Sequence, residues 1–193
     1  MRAGFLALCV LAAACGPGRQ TSGSYSFEGS LQGWRAGAID AAADAPGGWS
    51  IAAASDEAFD GAWSARFFVD NQSGSTKMFL SRAYALKPFQ AYDVHFEFAL
   101  GTSDGDRAAA FRVLAGAARS PPENGDAAIS LVQDDTGSAG GSGLSWVVKS
   151  YDTFATTGPE GDLSAIVGIW ATSEATRTYY LDALAVVFTE RRP

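Results

Sequence analysis

From residue 25 onward, apolar and polar residues alternate in short runs separated by stretches rich in Gly, Pro, Ser and Asp. The clearest run is Tyr92–Leu100. Tyr92, Val94, Phe96, Phe98 and Leu100 share one parity, and Asp93, His95, Glu97 and Ala99 share the other. A period of two sends alternate side chains to opposite faces, so this run predicts a half-buried strand. The same reasoning predicts strands at Tyr25–Phe27, Trp49–Ala54, Ser64–Val69, Lys77–Leu86, Ala109–Ala115, Ala128–Gln133, Leu144–Lys149, Ala165–Thr172 and Thr178–Phe188. The intervening segments 101–106, 120–126, 134–143 and 156–162 carry turn residues. No segment sustains a helical period. Short strands at regular spacing predict an all-β fold, a single β-sandwich.

The last of these strands is the longest apolar run outside the N-terminal segment, and its alternation breaks once. Tyr179 and Leu181 have one parity, whereas Leu184, Val186 and Phe188 have the other. A core-facing set can change parity only through an extra residue, which predicts a β-bulge at Asp182-Ala183. Asp182 is a lone carboxylate among apolar neighbours, with no nearby Lys or Arg in sequence. Three environments would satisfy it: a bound cation, a ring of backbone N–H groups, or solvent at a sheet edge.

The front of the chain has a different pattern. Met1-Arg2 is a short basic start, residues 5–14 are apolar, and Cys15-Gly16 follows. Leu11-Ala-Ala-Ala-Cys15 resembles the lipobox of bacterial lipoproteins, with Leu11 one place earlier than usual. The resemblance implies a signal peptide over residues 1–14, cleavage before Cys15, and a lipid anchor on that cysteine. Gly16, in place of the Asp that retains some lipoproteins at the inner membrane, implies an outer-membrane location facing the periplasm or the cell surface. Residues 15–24, rich in Gly, Ser and Thr, read as a flexible tether, and residues 25–193 as one domain. A domain of this size buries roughly 70% of its unfolded surface. Both cysteines, Cys9 and Cys15, precede it, so its core holds without a disulfide. Beyond the leader, 13 basic and 21 acidic residues remain, a net charge of −8. That balance argues against nucleic acid or an anionic lipid surface as partner.

Four stretches, in order, carry a second resemblance: Phe27-Glu-Gly-Ser-Leu-Gln-Gly-Trp34, Phe59-Asp-Gly-Ala-Trp-Ser-Ala-Arg-Phe67, Leu86-Lys-Pro-Phe-Gln-Ala-Tyr-Asp-Val94 and Tyr179-Tyr-Leu-Asp-Ala-Leu-Ala-Val186. Together they resemble the galactose-binding-like jelly-roll of bacterial carbohydrate-binding modules attached to cellulases and xylanases. The resemblance implies a β-sandwich jelly-roll that binds a polysaccharide on its concave sheet without catalysis, as a monomer. It also implies a structural calcium ion held by Glu28 and Asp182, which occupy the matching positions. This fold also hosts adhesive and structural modules, so a surface lipoprotein that binds a protein partner is the alternative.

Candidate chemistry adds little to an enzymatic reading. The single histidine, His95, lies on the polar parity of its strand, and most carboxylates sit in Gly-rich loops. Asp104-Gly-Asp106 lacks the spacing of a calcium loop. The five tryptophans carry more information, because sugars stack their C–H faces on exposed rings. Trp34 and Trp63 fall within the fold motifs and are expected in the core, while Trp49 and Trp170 have ambiguous parity. Trp146 and Tyr151 stand outside the motifs and are the expected ligand-binding rings.

Overall fold

The computed structural model describes residues 18–41, 48–70, 75–102, 111–123, 132–135 (backbone only), 143–172 and 174–192. Eleven strands are present among them: β1 Gln20–Tyr25, β2 Arg35–Ile39, β3 Trp49–Ala54, β4 Ser64–Asp70, β5 Lys77–Ala85, β6 Ala91–Thr102, β7 Phe111–Ala118, β8 Val132–Asp135, β9 Ser145–Thr156, β10 Asp162–Ala171 and β11 Thr176–Glu190. They form two antiparallel sheets. One runs β3-β4-β11-β6-β9, with β1 also on β11, and the other runs β2-β5-β10-β7-β8. This is the expected β-sandwich jelly-roll.

The core lies between the sheets. Phe67, Val94, Phe96, Phe98, Leu100, Tyr179, Leu181, Val186 and Phe188 face in from one side, and Met78, Leu80, Val113, Leu163, Val167 and Ile169 from the other. Two ring pairs bridge them: Tyr84 with Phe188 at 4.7 Å and Phe111 with Tyr179 at 4.6 Å between centroids. The alternation read in β6 is the alternation observed, with its odd-numbered outer residues Asp93 and Glu97 exposed.

β11 organises the larger sheet. Its first half pairs with β4, its second half with β1 on the same flank, and its other flank pairs with β6 from Tyr179 to Glu190 on either side of a bulge. The β6 register shifts between Asp182 and Ala185, where the parity break predicted a bulge. Ala183 takes a positive φ of 48° there. The bulge lets Leu181 and Leu184 both point into the core, each 0% exposed.

Several boundaries differ from the sequence reading: β9, expected to end at Lys149, runs on to Thr156, and β10 begins at Asp162, three residues before the expected Ala165. Residues 20–24, expected in the tether, form most of β1, paired from Gln20 opposite Thr189 to Tyr25 opposite Leu184. This edge strand is held by backbone hydrogen bonds and leaves most side chains exposed, so it has no apolar pattern to read. The segment beyond Trp34, not expected as a strand, is β2, paired with β5.

Candidate functional site

The site is built on the loop between β3 and β4, residues 55–63, which two carboxylates brace. Asp182, 0% exposed at the bulge, accepts the Phe59 and Asp60 amides on Oδ2, both at 2.9 Å, and the Ala183 amide on Oδ1 at 2.7 Å. Burial pushes its pKa up, and these three N–H donors oppose that rise. Three backbone N–H groups thus surround the Asp182 carboxylate. Glu28, from the connection between β1 and β2, accepts the Ala62 and Trp63 amides on Oε1, at 2.9 and 3.2 Å. Gly61 sits between these contacts with φ 73°, and a Cβ there would lie 2.1 Å from Glu28 Oε1. Only glycine fits. The Ser64 hydroxyl closes the loop by donating to the Glu57 carbonyl at 2.7 Å.

The braced loop sets Phe59 over the outer face of the larger sheet, 48% exposed and 5.8 Å from Trp146. Trp146 is half-buried and lies across Gly101, its cross-strand partner, with ring atoms 3.1 Å from where a Cβ would stand. Tyr180 adjoins it at 6.3 Å. Arg66, Tyr180, Gly101 and Trp146 form one row across β4, β11, β6 and β9. Val148, two residues beyond Trp146 on the same face, is 58% exposed.

Polar groups close the row at the β4 end. Asp56 Oδ2 accepts the Tyr180 hydroxyl at 2.9 Å and Arg66 Nη1 at 3.3 Å. Burial alone would raise the Asp56 pKa, but hydrogen bonds from Tyr180, its own amide and Arg66 hold it below the usual carboxylate range. Burial, then the bond to Asp56, pushes the Tyr180 phenol up to about 12. At neutral pH the cluster therefore presents an ionised acceptor and a guanidinium beside two partly exposed rings, Phe59 and Trp146, with Tyr180 buried next to them at 8% exposure.

The structure separates the two rings expected to bind ligand. Tyr151 points inward from β9, 8% exposed, with its ring 6.0 Å from that of Phe98. It is part of the core and does not share a face with Trp146. Trp34 is buried, edge-on to Tyr25, as expected. Trp63 is half-buried and Trp49 is 36% exposed. Trp170 lies on the outer face of the smaller sheet between Lys77 and Arg112, whose charged groups stand 4.5 and 5.4 Å from its ring. His95 forms an exposed cross-strand pair with Asp152, Nδ1 to Oδ1 2.8 Å. Cys15 and Asp104-Gly-Asp106 lie outside the described residues. Phe59, Tyr180, Asp56 and Arg66 were not expected at the site.

No family model and no curated protein matches this sequence. Solved structures do. The K3 cleaved adhesin domain of Lys-gingipain from Porphyromonas gingivalis is 14% identical over 88% of this chain and 99% of that one, with a TM-score of 0.54. The tandem CBM22-1-CBM22-2 of Xyn10C from Paenibacillus barcinonensis is 16% identical over 94% of this chain and 49% of that one, with a TM-score of 0.50. This chain thus spans about half of the tandem. The CBM22-1 xylan-binding domain of the same protein is 14% identical over 93% and 100%, with a TM-score of 0.49. At these identities the likeness is one of fold, the β-sandwich that carbohydrate-binding modules and cleaved adhesin domains share.

Proposed function

We propose that the protein is a non-catalytic glycan-binding lipoprotein and that its ligand stacks on Phe59 and Trp146, which the buried Tyr180 ring supports. One observation carries this reading: a half-buried indole and a phenyl ring 5.8 Å apart stand on a sheet face beside an ionised Asp56 and Arg66. Aromatic surface for C–H stacking with a few fixed polar groups is what sugar recognition requires. Asp56 accepts sugar hydroxyls and Arg66 donates to them. The test is retardation in gels containing cellulose derivatives, xylan, β-glucan or chitin oligomers, with Trp146→Ala as the control variant.

The exposure of Phe59 and Val148 favours a second reading, adhesion to a protein partner through the same face. Polysaccharide retardation that depends on Trp146 decides between the two.

Two further elements belong to the proposal. Cys15 carries the lipid anchor that holds the domain at the cell envelope. Glu28 and Asp182 contribute carboxylate oxygens to a structural calcium ion. Support for the ion is that both carboxylates converge on one loop, while Glu28 uses only Oε1 for its amide contacts. Among the described residues no group of three or more His, Cys, Asp or Glu is placed to hold a metal, so backbone carbonyls would complete the shell.

A further inference from the structure

The outer face of the smaller sheet carries a groove of about 350 Å³ near its β2 edge. This volume is at the lower end of small-ligand sites, which run from about 300 to 1,000 Å³. Its floor is set by strand register. Arg35 of β2 stands opposite Ser81 of β5, and Ala83 of β5 stands opposite Ser164 of β10. Pro121, three residues past the end of β7, forms a wall. Ser81 and Ser164 are 4% and 5% exposed, so their hydroxyls are recessed.

One guanidinium, that of Arg35, shares the groove's face with Ser81, and a second, that of Arg82, stands at its edge on the core-side parity of β5, opposite Ala165. Arg82 is held from behind: it donates to the Gln32 carbonyl, and its guanidinium sits over the Tyr25 ring at 4.9 Å. Arg35 is exposed and has no hydrogen bond or ion pair among the described residues. Neither arginine is paired with a carboxylate there, although the chain has an excess of acid and Arg66, Lys77, Lys87 and Arg191 are all ion-paired. Exposed charges more than about 10 Å apart are largely screened at 0.1 M salt, so the local cations outweigh the net charge of the chain.

We infer that this groove binds the carboxylate of an acidic sugar residue, a uronate within a polysaccharide. The site is separate from the Trp146 cluster and lies on the opposite sheet. A guanidinium fork matches the planar carboxylate in a bidentate pair. Arg35 supplies the fork, and Arg82, anchored on the core side of β5, adds only a fixed background charge. The two serine hydroxyls bond sugar hydroxyls, and Ala83 and Pro121 meet the C–H face of the ring.

Affinity electrophoresis of the full chain in polygalacturonate, with xylan as the neutral probe, tests the assignment. Retardation by polygalacturonate is expected. Arg35→Ala, at an exposed position, should weaken it at least tenfold at an unchanged melting temperature. Trp146→Ala should leave it intact, which separates this site from the aromatic cluster. Equimolar inorganic phosphate should not compete. Absence of retardation at low salt, indifference to Arg35→Ala, loss with Trp146→Ala, or equal competition by phosphate would each overturn the inference.

Discussion

Asp182 and Phe59 are joined by one hydrogen bond, the Phe59 amide donating to Asp182 Oδ2 at 2.9 Å. Through it the bulge in the closing strand positions the ring that stands beside Trp146. Asp182 is thus a positioning residue for the proposed binding face as well as a buried structural carboxylate.

Replacing Asp182 with alanine leaves the Phe59, Asp60 and Ala183 amides without their acceptor. Leaving buried donors unsatisfied costs about 1–3 kcal/mol each, with some recovered from water. A net loss of about 2–4 kcal/mol is expected, or a fall of about 5–15 °C in Tm at this size. Thermal unfolding measures it, and a Tm within 2 °C or so of the parent would mean that the loop does not depend on this brace.

Calcium binding to the folded state alone would stabilise it by about 2.7 kcal/mol at a hundredfold excess over Kd. Exhaustive chelation is therefore expected to lower Tm, and Asp182→Ala or Glu28→Ala to remove that response. A parent Tm indifferent to chelator would leave both residues as amide acceptors alone.

The bond between Asp56 and Tyr180 gives the site a pH window. Asp56 is depressed in the fold, so its contribution is present above its ordinary value of 3.8 and is lost as pH falls through the lower folded value. Tyr180 is raised, so its contribution is present below its ordinary value of 10.0 and is lost as pH rises through about 12. Glycan affinity should be flat from about pH 5 to about pH 10 and weaken only as pH falls through the folded Asp56 value or rises toward about 12. Tyr180→Phe should move the acid limb to higher pH, because Asp56 then loses a donor. An acid limb that does not move in the Phe variant would show that the two groups are uncoupled.

The anchor proposal rests on Leu11–Gly16. Cys15→Ser should leave the precursor uncleaved or release the protein from membrane fractions. A Ser variant that is processed and still sediments with membrane would remove the lipoprotein reading.

The alternation in β6 and the parity break in β11 were legible because both strands bury one face and so must keep register. β1 was not, since Gln-Thr-Ser-Gly-Ser pairs through backbone groups that leave no trace in side-chain pattern. Arg-Ala-Gly-Ala-Ile of β2 has only one β-branched residue and no large alternating set. At the site, the pairing of Trp146 with Tyr151 could have been rejected from spacing alone. An odd separation of five places them on opposite faces of any regular strand. The outward parity of Tyr180 was equally legible, because it is opposite to that of Tyr179, but not its burial at 8% exposure under the 55–63 loop and Trp146. The approach of Phe59 and Asp56 was not legible, since it depends on tertiary hydrogen bonds from residues more than a hundred positions away.

The central claim is that Trp146 binds glycan from an outer sheet face. Affinity electrophoresis and thermal unfolding of Trp146→Ala, side by side with the parent on the same polysaccharide panel, test it most directly. Base stacking on aromatic side chains is worth about 1–3 kcal/mol per ring. By that analogy the variant should lose tenfold or more in affinity while Tm changes little. Retardation equal to the parent's, no retardation of either protein by any polysaccharide, or a loss of about 3–5 kcal/mol in stability typical of a core aromatic would contradict it.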